Sequence, residues 1–211
     1  MEIDVCIKDN ICEIGRRMYN RGYIYANDGN ISIKTKDYIW VTPSGISKGY
    51  MTPEKLIKVG LDGCIQNNSR KVTSELSLHL RIYRERPDIS AIVHAHPPFA
   101  TCFAVAGIPL DKDIIVEAVV NLGHVPVAEY GTPGTKEICD SVADVIKDCD
   151  AVLLENHGAL TCGNELLYAY NKMESLEFYA QISYYTKLLG ESKNLSNDKL
   201  QKLLKYRERY N

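Results

Sequence analysis

Two short apolar segments, residues 89–95 and 151–154, constrain the fold of this chain more than any other feature. Each has the length and aliphatic composition of a buried strand, and segments with helical periodicity lie between and around them. One of these helical segments is residues 74–86, which Pro87 terminates. Because helical and extended segments alternate without a repeat or a low-complexity linker, we predict an α/β fold in a single domain, residues 1–211, with a mixed or mainly antiparallel sheet.

The remaining elements are predicted from the same periodicities and from turn residues. A helix is expected to begin at Thr52-Pro53, with the proline at its first position. The other expected helices are residues 3–20, 99–105, 132–146, 166–189 and 198–207, and the other expected strands are residues 31–34, 38–42, 56–61 and 125–128.

Composition and charge exclude several classes of protein. Hydrophobic residues make up 45% and charged residues 25%, as in globular proteins rather than disordered or fibrous chains. The formal net charge of −2 offers no overall attraction for nucleic acid or an anionic membrane, although it allows a small local basic pocket. The seven cysteines form no Cys-x-x-Cys pair, and we find neither a signal peptide nor an apolar run long enough to span a membrane. We therefore expect a reduced, cytoplasmic protein without a disulfide framework.

Three histidines lie at the ends of the two apolar strands. His94 and His96 are two residues apart, so their imidazoles point to the same face of the first strand. His157 follows the second strand in a similar context. Neutral imidazoles suit Zn²⁺, and three protein ligands with an open position are typical of a catalytic site. We predict such a site here; the alternative for His94 and His96 is two separately satisfied histidines at a strand end. We expect surface or core roles for His79 and His124.

Glu75 is the candidate acid/base beside this metal. It lies in the first turn of the predicted helix 74–86, and the short loop after that helix should make helix and histidine strand antiparallel. The start of the helix would then lie near His94 and His96, within reach for proton transfer. The structural alternative is that Glu75 only stabilises the helix dipole, and Glu155 is a weaker candidate for the base.

Three segments are candidate anion-binding sites because each joins a small or flexible residue to a hydroxyl, an amide or free backbone N–H groups. They are Gly29-Asn30, Ser44-Gly45 and Thr73-Ser74. Thr73-Ser74 also opens a predicted helix, where N–H groups and the helix dipole favour phosphate. An ordinary turn or N-cap is the simpler explanation of each segment taken alone. The sequence contains no Gly-x-Gly-x-x-Gly, P-loop or Gly-x-Ser-x-Gly motif, which argues against a common nucleotide cradle and a serine hydrolase.

Taken together, the motifs resemble those of the class II aldolase and adducin family. The resemblance covers nearly all of the 211 residues and rests on motifs that occur in the family's order. These are Asp28-Gly-Asn-Ile-Ser32, Thr42-Pro-Ser-Gly-Ile46, Thr73-Ser-Glu75, His94-Ala-His96, Tyr130-Gly-Thr-Pro-Gly-Thr135 and Glu155-Asn-His-Gly158.

The resemblance implies a three-layer α/β/α sandwich around a mixed, mainly antiparallel sheet. It implies one zinc ion per subunit on His94, His96 and His157, with Glu75 as catalytic acid/base that also occupies a metal position when substrate is absent. The residues that match the family's phosphate-binding segments are Gly29, Asn30, Ser44, Gly45, Thr73 and Ser74. The family's usual cyclic homotetramer has active sites at subunit boundaries, where Tyr206 would reach a neighbouring site as a catalytic residue.

The expected activity is that of a zinc-dependent aldolase. Glutamate at position 75 and the short chain resemble the family's aldolases, whereas its epimerases typically carry aspartate there. The implied reaction cleaves a ketose 1-phosphate, such as L-fuculose 1-phosphate, into dihydroxyacetone phosphate and an aldehyde such as L-lactaldehyde. One departure is that residues 113–123 lack the second tyrosine, which acts as proton donor in fuculose-phosphate aldolases; only Glu117 lies there. The alternatives are L-ribulose-5-phosphate 4-epimerase, methylthioribulose-1-phosphate dehydratase and a non-enzymatic adducin-like binding module.

Overall fold

An eight-stranded sheet forms the centre of the fold. A computed structural model describes residues 2–66 and 70–210, and the side chains of residues 3–66 and 70–205. The strands are β1 (Asn30–Lys34), β2 (Tyr38–Val41), β3 (Ile57–Gly60), β4 (Ile65–Gln66), β5 (Ala91–Ala95), β6 (Val127–Ala128), β7 (Ala151–Leu154) and β8 (Gly158–Gly163). Their order is β4-β3-β2-β1-β5-β8-β7-β6, and each neighbouring pair is antiparallel except β6 and β7. The predicted mixed, mainly antiparallel sheet is confirmed.

Helices cover both faces of this sheet because successive side chains of the central strands are buried on opposite sides. In β5, for example, Val93 belongs to one apolar core and Ile92 to the other. The first core contains residues of α1 (Glu2–Asn20), α3 (Pro98–Ala106), α4 (Val116–Asn121) and α6 (Leu166–Leu188), and the second contains residues of α2 (Leu76–Glu85) and α5 (Lys136–Val145). The last helix, α7 (Asn197–Tyr210), contacts α4. Among the described residues, no helix has the length and hydropathy needed to cross a membrane.

Two predicted helix starts are wrong. The helix expected at residues 74–86 begins at Leu76, because Thr73 accepts hydrogen bonds from the N–H groups of Glu75 (3.3 Å) and Leu76 (3.3 Å) and holds this stretch in a turn. The helix expected at residues 132–146 begins only at Lys136. The start expected at Thr52-Pro53 is confirmed, with Thr52 as N-cap and Pro53 as the first residue, but the element is a short 3₁₀ helix, Pro53–Lys55, preceded by a second one, Lys48–Tyr50.

The sequence analysis missed helix α4 and strand β8, as well as the short strand β4 and the 3₁₀ helix Lys48–Tyr50. The valine-rich segment of α4 has a low intrinsic helix propensity and adopts a helix through its buried contacts. Strand β8 begins and ends in glycine, which weakens any local strand signal, yet every one of its residues is buried between β5 and β7. The omission matters because β8 positions one side of the site.

Candidate metal and catalytic site

The three predicted histidine ligands lie together at one end of the sheet. Antiparallel pairing aligns Ala95 with Ala159, so the end of β5 lies beside the start of β8. This register brings His157, which precedes β8, next to the pair from β5. The ring centroid of His157 lies 4.7 Å from that of His94 and 5.1 Å from that of His96. One potential ligand atom from each histidine lies within 4.8 Å of the others.

Local backbone features create this approach. A Cβ atom at Gly158 would lie 2.5 Å from Cδ2 of His96 and 2.6 Å from the carbonyl oxygen of Ala95, so a larger residue cannot be accommodated without displacing the ligand. Asn156 adopts a φ of 56°, a left-handed conformation that asparagine tolerates, and this turns the chain between β7 and β8. This tight turn therefore orients the side chain of His157 toward His94 and His96.

The protonation of the histidines suits a cation. The Nδ1 atom of His94 lies 2.9 Å from the carbonyl oxygen of Ala159, and as an N–H donor in this bond it leaves Nε2 with a free lone pair. Burial lowers the pKa of all three imidazoles, in His96 to about 4. At neutral pH the rings are therefore uncharged and can act as ligands.

Glu75 lies directly beside these rings. Its Oε2 atom is 3.3 Å from Nε2 of His94, and its Oε1 atom is 3.7 Å from Nδ1 of His157. The side chain is buried, with the residue only 4% exposed. Burial alone would raise the pKa of Glu75, but His94, His157 and a hydrogen bond from Asn30 together lower it. The group is therefore an ionised carboxylate facing neutral imidazoles.

A metal ion fits this donor set. Within the described residues, the buried atoms Oε1 of Glu75 and Nδ1 of His157 have no hydrogen-bond partner. Buried polar atoms without partners are rare, and a carboxylate oxygen that faces an imidazole nitrogen beside two further imidazoles favours a bound cation. The three histidines, with Glu75 as a further oxygen donor, could hold it.

A buried hydrogen-bond chain orients Glu75, and the sequence analysis did not find it. Asn30 donates from Nδ2 to Oε2 of Glu75 (2.6 Å), and its Oδ1 lies 2.5 Å from Nε2 of His79. The other nitrogen of His79 lies 2.7 Å from Oγ of Ser32, which lies 2.8 Å from the hydroxyl of Tyr83. Because Asn30 uses its NH₂ group on the carboxylate, its oxygen must accept from His79, which fixes the tautomer of that ring. The expected core role of His79 is thus that of a link in this chain.

The three predicted phosphate-binding segments converge next to Glu75. An isolated antiparallel bridge between Pro43 and Val72 joins the segment that contains Ser44-Gly45 to the one that contains Thr73-Ser74. Ser44 donates its N–H to the carbonyl of Lys71 (2.9 Å), which strengthens this connection. Gly29-Asn30 joins the other two segments through the bond from Asn30 to Glu75.

Other candidates lie elsewhere. The carboxylate of Glu155 accepts the N–H of Tyr130 at 2.8 Å, which gives it a local structural role. Asp28, which was not predicted, has a carboxylate oxygen 3.9 Å from Nδ1 of His96. The side chain of Tyr206 lies outside the described residues.

Comparisons with known proteins agree with the motifs. The family model for the class II aldolase and adducin N-terminal domain matches residues 9–184. A 5-deoxy-D-ribulose 1-phosphate aldolase of Bacillus thuringiensis serovar kurstaki is 37% identical over 96% of this chain and 96% of its own length. An L-fuculose phosphate aldolase of Methanococcus maripaludis is 35% identical over 86% of this chain and 98% of its own length. Among solved structures, an L-fuculose 1-phosphate aldolase superposes with a TM-score of 0.88 at 31% identity, over 97% of this chain and 95% of its own.

Proposed function

We propose that this chain, which belongs to the class II aldolase and adducin family, cleaves a ketose 1-phosphate reversibly into dihydroxyacetone phosphate and an aldehyde. The family match and its relatives make the chain an enzyme of the metal-dependent lyase type. We infer the substrate class from the two relatives, whose substrates are named as L-fuculose phosphate and 5-deoxy-D-ribulose 1-phosphate.

The convergence of candidate metal donors, a carboxylate and candidate phosphate-binding segments is the observation that carries this proposal. Glu75 contacts His94 on one side, and Asn30 of a candidate phosphate segment on the other. A substrate whose phosphate bound at the segments would therefore place its carbonyl end near the histidines. Such anchoring supplies much of the orientation that a bond-breaking step needs.

The reaction breaks the bond between C3 and C4 of the ketose. The C4 hydroxyl loses its proton and becomes the aldehyde, and C3 of the dihydroxyacetone phosphate fragment gains a proton. Glu75 is the group that delivers this proton and, in the reverse direction, removes it. A divalent cation bound at the three histidines supplies Lewis-acid polarisation of the ketone. Asn30 holds the carboxylate of Glu75 in place while the proton moves.

Zinc is the ion that we propose for this site, at one per subunit. Imidazole nitrogens are good zinc ligands, and three of them with an open coordination position are typical of catalytic zinc. Carboxylate-rich sites would instead favour Mg²⁺ or Mn²⁺.

The test uses zinc-loaded protein with L-fuculose 1-phosphate and 5-deoxy-D-ribulose 1-phosphate, assayed for dihydroxyacetone phosphate. The condensation direction is tested with dihydroxyacetone phosphate plus L-lactaldehyde or acetaldehyde. We expect product in at least one pair, loss of activity with chelator and recovery with added zinc. Epimerised or dehydrated products without cleavage would instead assign an epimerase or a dehydratase, and no turnover with intact zinc would favour a binding module.

We also propose a homotetramer with sites at subunit boundaries. Large apolar residues of the α6 region are exposed in the single chain, including Phe178, Tyr184, Tyr185, Leu188 and Leu189. An exposed apolar surface of this kind favours self-association. Light scattering coupled to gel filtration tests the proposal, and a monomer would refute it.

The cytoplasm is the compartment that we propose. The seven cysteines are free thiols, which fits a reducing environment.

A further inference from the structure

Lys48 is a buried lysine that the mechanism above does not use. It begins the short 3₁₀ helix Lys48–Tyr50 and is only 2% exposed. Its ammonium group donates a hydrogen bond to the carbonyl oxygen of Asn27 at 2.5 Å, and it forms no ion pair among the described residues. Burying an ammonium without a carboxylate partner is unfavourable, so its presence calls for a compensating role.

The hydrogen bond from Lys48 joins two of the candidate phosphate segments. Lys48 lies three residues after Gly45, and Asn27 lies two residues before Gly29. The second of these segments is strained, since Ala26 has a φ of 44°. The hydrogen bond from Lys48 to the carbonyl of Asn27 therefore stabilises an unfavourable backbone conformation next to Gly29.

Lys48 also brings positive charge to a region whose predicted phosphate ligands are all neutral. The charged or titratable groups that interact with it are Asp28, on the loop it anchors, Glu75, before α2, and His94 and His96, at the end of β5. Burial lowers the pKa of Lys48 to about 8, while Asp28 and Glu75 act in the opposite direction. The group is therefore mostly protonated at neutral pH.

We propose that Lys48 is a positioning residue of the phosphate subsite: it anchors the Gly29 loop to the Gly45 loop and supplies the cationic charge that their neutral donors lack. This inference rests on the proposed sugar-phosphate substrate. It predicts that loss of the ammonium weakens binding of the phosphate group selectively, and leaves zinc and the unphosphorylated part of the substrate unaffected.

Calorimetric titration of zinc-loaded protein with dihydroxyacetone phosphate and with inorganic phosphate tests this directly. We expect Lys48→Met to weaken both by about tenfold or more, in line with loss of one charge-assisted interaction. Lys48→Arg, which keeps the charge, should lose less. Lys36→Met is the matched control, because Lys36 is exposed in the turn between β1 and β2 and should leave affinity unchanged. In steady-state kinetics, Lys48→Met should raise the KM for the phosphorylated substrate more than the KM for dihydroxyacetone.

Each outcome decides between explanations. Wild-type affinity in a folded Lys48→Met variant would overturn the role of Lys48, as would an equal loss of zinc and dihydroxyacetone binding. A wild-type protein that binds neither phosphate ligand would refute the proposed substrate class itself.

If Lys48→Met does not fold, Lys48→Gln replaces it, since glutamine can still donate to Asn27. If neither variant folds, the affinity of the wild-type protein for dihydroxyacetone phosphate is measured between about pH 7.5 and 9.5. A phosphate ester stays dianionic in this range, whereas Lys48, with its pKa of about 8, loses its proton. An affinity that does not fall would overturn the proposal.

Discussion

Replacing Glu75 by glutamine changes one atom at the centre of the site and leaves its volume nearly the same. The carboxylate has two distinct sides: Oε2 accepts from Asn30 at 2.6 Å, and Oε1 is buried without a hydrogen-bond partner among the described residues. A glutamine can keep the bond from Asn30 only by placing its oxygen at the Oε2 position. Its NH₂ group then occupies the Oε1 position, where it cannot accept a proton.

The size of the effect follows from this geometry. The substitution preserves the anchor to Asn30 and the three imidazoles, so we expect bound zinc and thermal unfolding to change little. The proposed acid/base function of Glu75 would be removed outright, and such groups contribute about 10² to 10⁴-fold to rate. This corresponds to about 2.7 to 5.5 kcal/mol of transition-state stabilisation.

The assay is exchange of the carbon-bound hydrogens of dihydroxyacetone phosphate with deuterated water, followed by NMR on zinc-loaded protein. We expect Glu75→Gln to slow this exchange and cleavage together. Glu155→Gln is the matched control, because that carboxylate bonds the N–H of Tyr130 and should leave exchange at the wild-type rate. Exchange at the wild-type rate in Glu75→Gln with full zinc would refute the assignment, and so would an equal loss in Glu155→Gln.

Four further outcomes follow from other contacts. Removing the metal with chelator should lower the unfolding free energy, by about 2.7 kcal/mol relative to protein in zinc at 100 times its Kd; an unchanged denaturation midpoint would contradict a bound ion. His79→Phe leaves Asn30 without its donor and should reduce kcat by about 10 to 100-fold with partial rescue in His79→Gln, as checked by steady-state kinetics. Tyr179→Phe leaves the backbone N–H of Lys112 unpaired and its C=O with only the hydrogen bond from the N–H of Ile114, and should destabilise the fold by about 1–3 kcal/mol in urea denaturation, unlike a change at an exposed tyrosine. Burial raises the pKa of Asp150, but the ion pairs with Lys172 and Arg86 lower it overall. The stabilisation from Asp150 is therefore present above its unfolded pKa and disappears as pH falls through the lower folded pKa. Asp150→Asn should cost about 3–5 kcal/mol of unfolding free energy at neutral pH and should weaken the loss of stability at acid pH, as measured by denaturation curves.

The parts of the site that could be predicted from sequence are those governed by local geometry. Alternation along a strand placed His94 and His96 on one face, and a similar strand-end pattern pointed to His157. The closeness of Glu75 to His94 followed from antiparallel packing of α2 on β5 across a short loop. Each of these inferences needed only the period of an element and the length of one connection.

The parts that could not be predicted depend on register between distant segments. Asn30 and His79 are 49 residues apart, and their bond requires β1 to pair with β5 so that Asn30 faces His94. No local pattern encodes that register. The burial of Lys48 likewise depends on tertiary packing, since an isolated lysine in a glycine-containing turn is normally exposed. Strand β8 was missed for a similar reason, because neighbouring strands rather than its own residues stabilise it.

The charges of the site can be added up to identify the class of ligand that it suits. At neutral pH the imidazoles are uncharged, and the buried carboxylate of Glu75 is offset by the ammonium of Lys48. A divalent cation on the histidines would leave this buried region with a surplus of about two positive charges, because the remaining acidic neighbour, Asp28, is half exposed and screened by solvent. A phosphate ester carries about −1.5 to −2 at pH 7 and would neutralise that surplus, whereas an uncharged sugar would leave it uncompensated. Under the proposed function, the same arithmetic explains why neutral hydroxyl, amide and backbone donors would be sufficient to line a phosphate subsite: they would supply geometry, and the metal and Lys48 would supply charge.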